Sequence, residues 1–516
     1  MTGHLRYRRS ISFLIAALLC WSSFPFKSNA WALSIEDEWK MGQAFFFQVS
    51  GQYELVSDPF VCKYFNDLGH YLLAPLETKP FPFQFYIIND DTLNAFAGPG
   101  GHIFFYAGLI EAMDRVDELA AIVCHEIGHI AARHLSKRID QSKDIGVGTM
   151  AGILAGILIG GPLAAALITG TMAAGMQAQY HFSREDERQA DQLSYKYIRP
   201  STFDSTAMIT ALEKIQKGSW RGTGRTPPYL LTHPTGPERM SNLESLSSND
   251  QPLTLSQEAF YLKALFPAFR TLVVAICKEP EDAEKKFLNT LKKDPEAWLP
   301  QLGLGIVFMR ENKYPEAIGV LKKARQKQPE FIPILRTLGE AYLMDGQQKK
   351  AVRVLKTALE LDHGNKATLL VLGVLYEEQG KTKKALRIFK KLSYLNPVKN
   401  GVYYHLGVCY GREKQLALAH YNFGVYFKKL GRFQKAMFHF RKAKKLASEN
   451  AALLEKIRKE TEGVQKMEDQ TKNGGSNKKG GLSCLQKKEP YPKHLKMHSR
   501  SVVPPTLSGC FPIPER

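Results

Sequence analysis

Apolar positions recur with helical spacing over residues 36–76 and then give way to a β pattern. FPFQFYIIND (Phe81–Asp90) reads as a strand from its aromatic and β-branched run. LNAFAGPGGHIFFYAGLI (Leu93–Ile110) reads as two short extended segments around the turn Gly98-Pro99-Gly100-Gly101. A long helix is predicted next, capped by Asp114 and running to about Arg138, with Asp117 and Glu118 complementing its positive N-terminal end. Residues 145–182 contain no Lys, Arg, Asp or Glu, and Pro162 divides them into two short apolar halves. Gly148, Gly152, Gly156 and Gly160 share one helix face, so residues 145–178 are expected to form a close-packed helical hairpin, laid on the protein or dipping into a membrane interface. Full insertion of this segment is the alternative.

Over residues 281–397 the pattern becomes periodic. Gly305, Gly339, Gly373 and Gly407 are spaced by 34, as are Ala283, Ala317, Ala351 and Ala385. Pro295, Pro329 and Pro397 keep the register, with His363 where the remaining proline would fall. TLGEAYLMDGQQKKAVRVLKTALELD and VLGVLYEEQGKTKKALRIFKKLSYLNP show the helix–turn–helix pattern of tetratricopeptide repeats, in which small residues let paired helices approach. Gly424 and Ala436 restart the pattern half a period late, as a capping pair would. From about Glu462 the periodicity fades, and Thr471–Arg516 is expected to be a disordered basic tail.

Composition adds a compartment. The 516 residues are 44% hydrophobic and 23% charged, as in a globular chain, with a formal net charge of +20. Residues 1–32 carry +4 and residues 471–516 carry +7, so the body is only modestly basic. No basic stripe points to nucleic acid. RYRR (Arg6–Arg9), the apolar stretch Ile11–Phe24 and small-x-small sites ending at Ala30 and Ala32 read as a cleaved secretory signal over residues 1–32; an uncleaved anchor is the alternative. The seven cysteines form no CxxC pair. A disulfide between two of Cys62, Cys277 and Cys409 is compatible with an oxidising compartment, and Cys124 reads as a small buried hydrophobe.

The candidate chemistry lies in AIVCHEIGHIAARH (Ala121–His134). HExxH on a helix sets His125 and His129 one turn apart on one face, able to share a zinc ion, with Glu126 as general base for its water. His134 reads as a surface histidine pointing elsewhere. A catalytic zinc needs a third protein ligand. SREDERQADQLSYKYI (Ser183–Ile198) places Glu187 and Asp191 on one helix face, which by spacing alone reads as a solvated acidic face; the alternative is Glu187 as ligand with Asp191 orienting a ligating imidazole. A hairpin between the two helices would return the chain to where it left.

HEIGH, SREDERQAD and THPTGPER (Thr232–Arg239), preceded by NAFAGPGG-HIFFYAGLI, resemble the zinc endopeptidases related to HtpX and to the CAAX prenyl endopeptidase. The resemblance covers roughly residues 35–245. With the signal and the repeats added, the chain is similar to the periplasmic β-barrel assembly-enhancing proteases, its tail excepted. The resemblance implies one zinc held by His125, His129 and Glu187, water activation by Glu126, and Asp191 behind the ligands. It also places His233 and Arg239 at the site. By chemistry alone either could stabilise an oxyanion; the resemblance also allows the histidine to cap the zinc and hold the enzyme latent. The strand around His102–Tyr106 is either an edge for an extended substrate or core sheet.

The expected fold is therefore mainly α: a zincin-like α+β metallopeptidase domain with a small β-sheet (residues 33–250), followed by an α-helical tetratricopeptide solenoid (residues 258–460). The expected activity is periplasmic zinc-dependent hydrolysis of misfolded or misassembled envelope proteins. The repeats would recruit unfolded outer-membrane proteins and their assembly machinery, and peripheral membrane contact is compatible with the hairpin. The alternatives are a chaperone or scaffold with a latent protease site, and a membrane-integral quality-control protease.

Overall fold

The computed structural model describes residues 33–139, 182–221, 227–247, 254–395, 400–447 and 450–473. The expected signal (1–32), the glycine-rich hairpin (145–178) and the tail beyond Asn473 lie outside the described residues.

Helix α1 (Ile35–Gln52) is capped by the Ser34 hydroxyl on the Asp37 amide, and α2 (Pro59–Leu72) by the Asp58 carboxylate on the amides of Phe60 and Val61. A three-stranded sheet follows, built from β1 (Gln84–Ile88), β2 (Ala95–Ala97) and β3 (His102–Tyr106). Strand β3 is central, parallel to β1 and antiparallel to β2. It is buried along its whole length, so it is core sheet and not the free edge that substrate addition would need. The turn between β2 and β3 holds Gly100 and Gly101 at φ of 69° and 86°, conformations that suit glycine.

After α3 (Ala107–Ala112), the HExxH helix α4 spans Val116–Ala131, every residue up to Ile130 buried. Two expectations about it are corrected. Asp114 does not cap it: the Glu118 carboxylate reaches back to the Asp114 amide at 2.8 Å, while the Asp114 side chain pairs with Lys214 and Arg270. Nor does it continue to Arg138. Arg133 adopts a left-handed φ of 53°, and α5 (His134–Ile139) starts as a separate helix. The Arg133 guanidinium holds this break by binding the Glu38 carboxylate and the Leu33 carbonyl.

Helix α6 (Arg184–Ile198) starts from a reciprocal box between Ser183 and Asp186 and packs along α4. Gly128 makes that approach close: a Cβ there would lie 2.9 Å from the Ala190 carbonyl oxygen. Helices α7 (Ala207–Arg221), α8 (Pro228–Thr232) and α9 (Pro237–Ser247) complete this side.

Helix α10 (Gln257–Cys277) joins the two halves. Among the described residues it is the one helix long and apolar enough to cross a membrane. Much of that apolar surface instead faces protein. Phe269 stacks on Tyr64 with centroids 4.3 Å apart, and the Tyr64 hydroxyl donates to the Leu262 carbonyl at 2.8 Å. Its other side meets the repeat array. The array runs through α11 (Pro280–Lys293), α12 (Trp298–Arg310), α13 (Tyr314–Lys327), α14 (Ile332–Met344), α15 (Gln348–Leu361), α16 (Lys366–Glu378), α17 (Thr382–Ser393), α18 (Asn400–Arg412), α19 (Leu416–Lys429), α20 (Phe433–Leu446) and α21 (Ala451–Asn473). The last helix continues past Glu462, where the composition changes.

The repeat spacing has a packing cause. Gly305, Gly339, Gly373 and Gly407 face Leu321, Leu355, Phe389 and Phe423, each side chain filling the space a Cβ would need. Gly424 faces Phe440 in the same way. Helix α19 therefore gives Phe423 to the helix before it and Gly424 to the helix after it, which explains the half-period restart. Cys62, Cys124, Cys277 and Cys409 are all free thiols, so no disulfide joins the cysteines among the described residues.

Candidate metal centre

Four donor atoms converge where α4, α6 and the turn after α8 meet. His125 and His129 project from one face of α4, with their Nε2 atoms 3.0 Å apart. Glu187 comes from α6: its carboxylate oxygens lie 3.4 Å from His125 Nε2 and 3.4 Å from His129 Nε2. His233, at the C-terminal cap of α8, brings Nδ1 to 2.9 Å from Glu187 Oε1 and 3.3 Å from His125 Nε2. All four side chains are buried, and their ligand atoms lie within 4.8 Å of one another. Bonds of about 2.0–2.1 Å to a tetrahedral zinc imply ligand atoms about 3.3 Å apart. The separations here match that, and imidazole with carboxylate is a zinc-type donor set, so the residues fit the ion.

Glu126, between the two histidines in sequence, is fully buried beside the cluster, 3.6 Å from His233 Nε2. Neither of its carboxylate oxygens has a hydrogen-bond partner among the described residues. Burial raises its pKa, opposed by the nearby His233 and His125. A buried carboxyl so placed suits proton transfer.

Asp191 lies one turn beyond Glu187 on α6, and its Oδ1 is 2.9 Å from His125 Nδ1. Arg239, on α9, locks this arrangement from behind. Its Nε and Nη2 bind the two Asp191 oxygens at 2.8 and 2.9 Å, and Nη1 sits 2.6 Å from Glu187 Oε2. Burial would raise the Glu187 and Asp191 pKa values, but Arg239 and the adjacent histidines outweigh it and hold both carboxyls ionised. Burial would likewise lower the His125 pKa; hydrogen bonds to Asp191 and Glu187 reverse this and raise it to about 9. At His129 burial wins and the pKa falls.

The structure thus brings all seven sequence-derived candidates, His125, Glu126, His129, Glu187, Asp191, His233 and Arg239, into one buried cluster. It corrects the eighth residue considered. His134 is not a surface histidine: the break at Arg133 turns it back, buried, with Nδ1 3.0 Å from His129 Nδ1. Nothing in the local sequence announces that break, because the left-handed residue is an arginine. Also unforeseen are Gln189, whose Oε1 lies 2.8 Å from His134 Nε2, and two aromatic walls. Phe182 lies against His129 and Tyr229 stacks on His233, with centroids 3.9 and 4.6 Å apart. No spacing rule links these residues to the motif.

Residues 62–247 match the model of peptidase family M48. Tetratricopeptide-repeat models match residues 279–330, 367–397 and 417–450. The beta-barrel assembly-enhancing protease of Yersinia pestis is 31% identical over 304 residues, 58% of this chain and 61% of that one. The Escherichia coli strain K12 protein of the same name is 34% identical over 234 residues, 45% of this chain and 48% of that one. The chain therefore spans about half to three fifths of the length of these curated relatives. Among solved structures, YrrB, a TPR protein with an unusual peptide-binding site, aligns at 18% identity and a TM-score of 0.25, covering 34% of this chain and 100% of that one. The chain is thus similar to peptidase family M48 over residues 62–247 and to tetratricopeptide repeats over three segments that follow.

Proposed function

We propose that this protein is a zinc metalloendopeptidase. The observation that carries the reading is the convergence of His125, His129 and Glu187 donor atoms beside the buried Glu126 carboxylate. Zinc held by those three residues would supply a Lewis acid for the scissile carbonyl and lower the pKa of a water. Glu126 takes the proton of the attacking water and returns it to the departing amine. Asp191 fixes the His125 ring, and Arg239 holds both Asp191 and Glu187 in place rather than meeting an oxyanion.

His233 supports a resting state that is closed. Its Nδ1 takes the fourth corner of the donor cluster, the position a substrate or water needs. Of the two roles open to it from sequence, capping the metal has the better support. Movement of the turn after α8 would then precede catalysis.

The substrates are envelope proteins, misfolded or misassembled, in the periplasm, reached through the cleaved signal over residues 1–32. The repeat array recruits them or the outer-membrane assembly machinery; helical repeats present extended surfaces suited to protein partners. The name of the relatives, beta-barrel assembly-enhancing protease, supports that substrate class.

Glu126→Gln tests the reading. It should retain zinc and lose peptide hydrolysis by about 100- to 10,000-fold; full activity in the variant would refute it. If instead Glu126→Gln still supports outer-membrane protein assembly in cells while deletion of Trp298–Leu446 does not, the chaperone reading takes precedence.

A further inference from the structure

His125 and His129 each turn one ring nitrogen toward the ligand cluster, and in each the opposite nitrogen is held. For His125 the holder is Asp191, at 2.9 Å. For His129 it is another imidazole: His129 Nδ1 lies 3.0 Å from His134 Nδ1, and His134 Nε2 lies 2.8 Å from Gln189 Oε1. A carboxamide oxygen can only accept, so His134 Nε2 carries its ring hydrogen. In the neutral ring Nδ1 is then a lone pair, which accepts from His129 Nδ1–H. That leaves a lone pair on His129 Nε2, the atom that faces Glu187 and His125.

We propose that His134 is a positioning residue for metal binding, setting the tautomer and ring orientation of His129 through the relay Gln189–His134–His129. Outer partners of this kind commonly tune a metal-bound imidazole. The relay is built into the fold. The left-handed turn at Arg133, anchored on Glu38 and the Leu33 carbonyl, aims His134 inward. Arg138 on α5 pairs with Asp186 on α6, tying the two helices beside the relay. Phe182 covers the His129 ring. Helix α6 thereby supplies Glu187 to the cluster and aligns both histidines, His125 through Asp191 and His129 through Gln189 and His134.

This inference rests on the reading of His129 as a zinc ligand, and the experiment separates the two. Zinc affinity of the full chain is measured by competition with a chromophoric chelator, together with the melting temperature of each metal-free protein. The variants are His129→Ala, His134→Phe, His134→Asn and Gln189→Leu. His134→Phe should bind zinc about 10- to 100-fold more weakly. His134→Asn, which restores an acceptor, should recover part of that loss. Gln189 is exposed, so Gln189→Leu should leave the fold intact and weaken zinc binding in the same direction by less. Wild-type affinity in both His134→Phe and Gln189→Leu, with His129→Ala losing zinc, overturns the relay alone. Wild-type affinity in His129→Ala overturns the ligand assignment, and the relay with it.

Discussion

Arg239 is a side chain whose burial is justified only by what it touches. It is 8% exposed and meets two buried carboxylates, Asp191 through a two-pronged contact and Glu187 through a third nitrogen. Removing one partner of such a cluster leaves charge uncompensated in a low-dielectric interior. Arg239→Leu should therefore destabilise the protein by about 3–5 kcal/mol in urea unfolding. Arg239→Lys should lie between it and wild type, because a lysine keeps the charge without the planar fork. The motif was legible in sequence, since HP-x4-R places His233 and Arg239 near each other in the chain. Its direction was not. Arg239 reaches back 48 positions to Asp191, and only the packing of α9 on α6 decides that it faces Asp191 and Glu187. His134 illustrates the same limit over five residues, where one left-handed arginine reverses the reading of a histidine.

At the scale of elements, the candidate metal centre depends on how closely α4 and α6 lie. Gly128, between the two motif histidines, faces Ala190, between Glu187 and Asp191. Both positions are small, and they set the distance over which Glu187 reaches the imidazoles. Gly128→Ala would put a methyl 2.9 Å from the Ala190 carbonyl oxygen and 3.3 Å from its Cα, contacts with backbone that no rotamer relieves. The helices must separate, which should cost about 1–3 kcal/mol in thermal or urea unfolding and weaken zinc binding in a chelator competition. The amphipathic patterns of these helices could be read from the sequence, as could the 34-residue period of the repeats, because each reflects a local rule. The pairing of Gly128 with Ala190 reflects no local rule; the intervening residues 140–181 hide it from any spacing argument. Strand order was equally hidden. Both readings of His102–Tyr106 fit its composition, and the central place of β3 between β1 and β2 selects one.

Over the whole molecule, α10 is the part that makes two units into one. Arg270 donates twice to the Glu111 carbonyl, and Lys278 and Lys286 both pair with the Glu111 carboxylate, so α3 of the peptidase half is held by α10 and by the first helix of the array. Arg336 on α14 adds a bond of 2.7 Å to Asp58, and Phe60 meets Phe331 edge-on. Sequence alone separates residues 33–250 from 258–460 because composition and period change there. It does not reveal that the helix after the change packs its Phe269 against Tyr64 and Phe65 in the first half. Burial would raise the Glu111 pKa, but Lys286 and Lys278 outweigh it and hold it below the usual carboxylate range. A carboxylate so depressed contributes its full stabilisation above the unfolded-state pKa, and the contribution is lost as pH falls through the folded value. Glu111→Gln should thus be less stable than wild type by up to about 1 kcal/mol near neutral pH. The gap should persist down to the pH at which an ordinary carboxylate titrates and close only in stronger acid, as unfolding curves at a series of pH values would report.

The most direct test of the account is the zinc content of the purified protein, measured by elemental analysis alongside His129→Ala and Glu187→Ala. The arrangement of His125, His129 and Glu187 predicts about one zinc per chain in the wild type and its loss in both variants. Zinc retained in Glu187→Ala would contradict the ligand assignment, and a wild-type protein that takes up none would contradict the metallopeptidase reading itself.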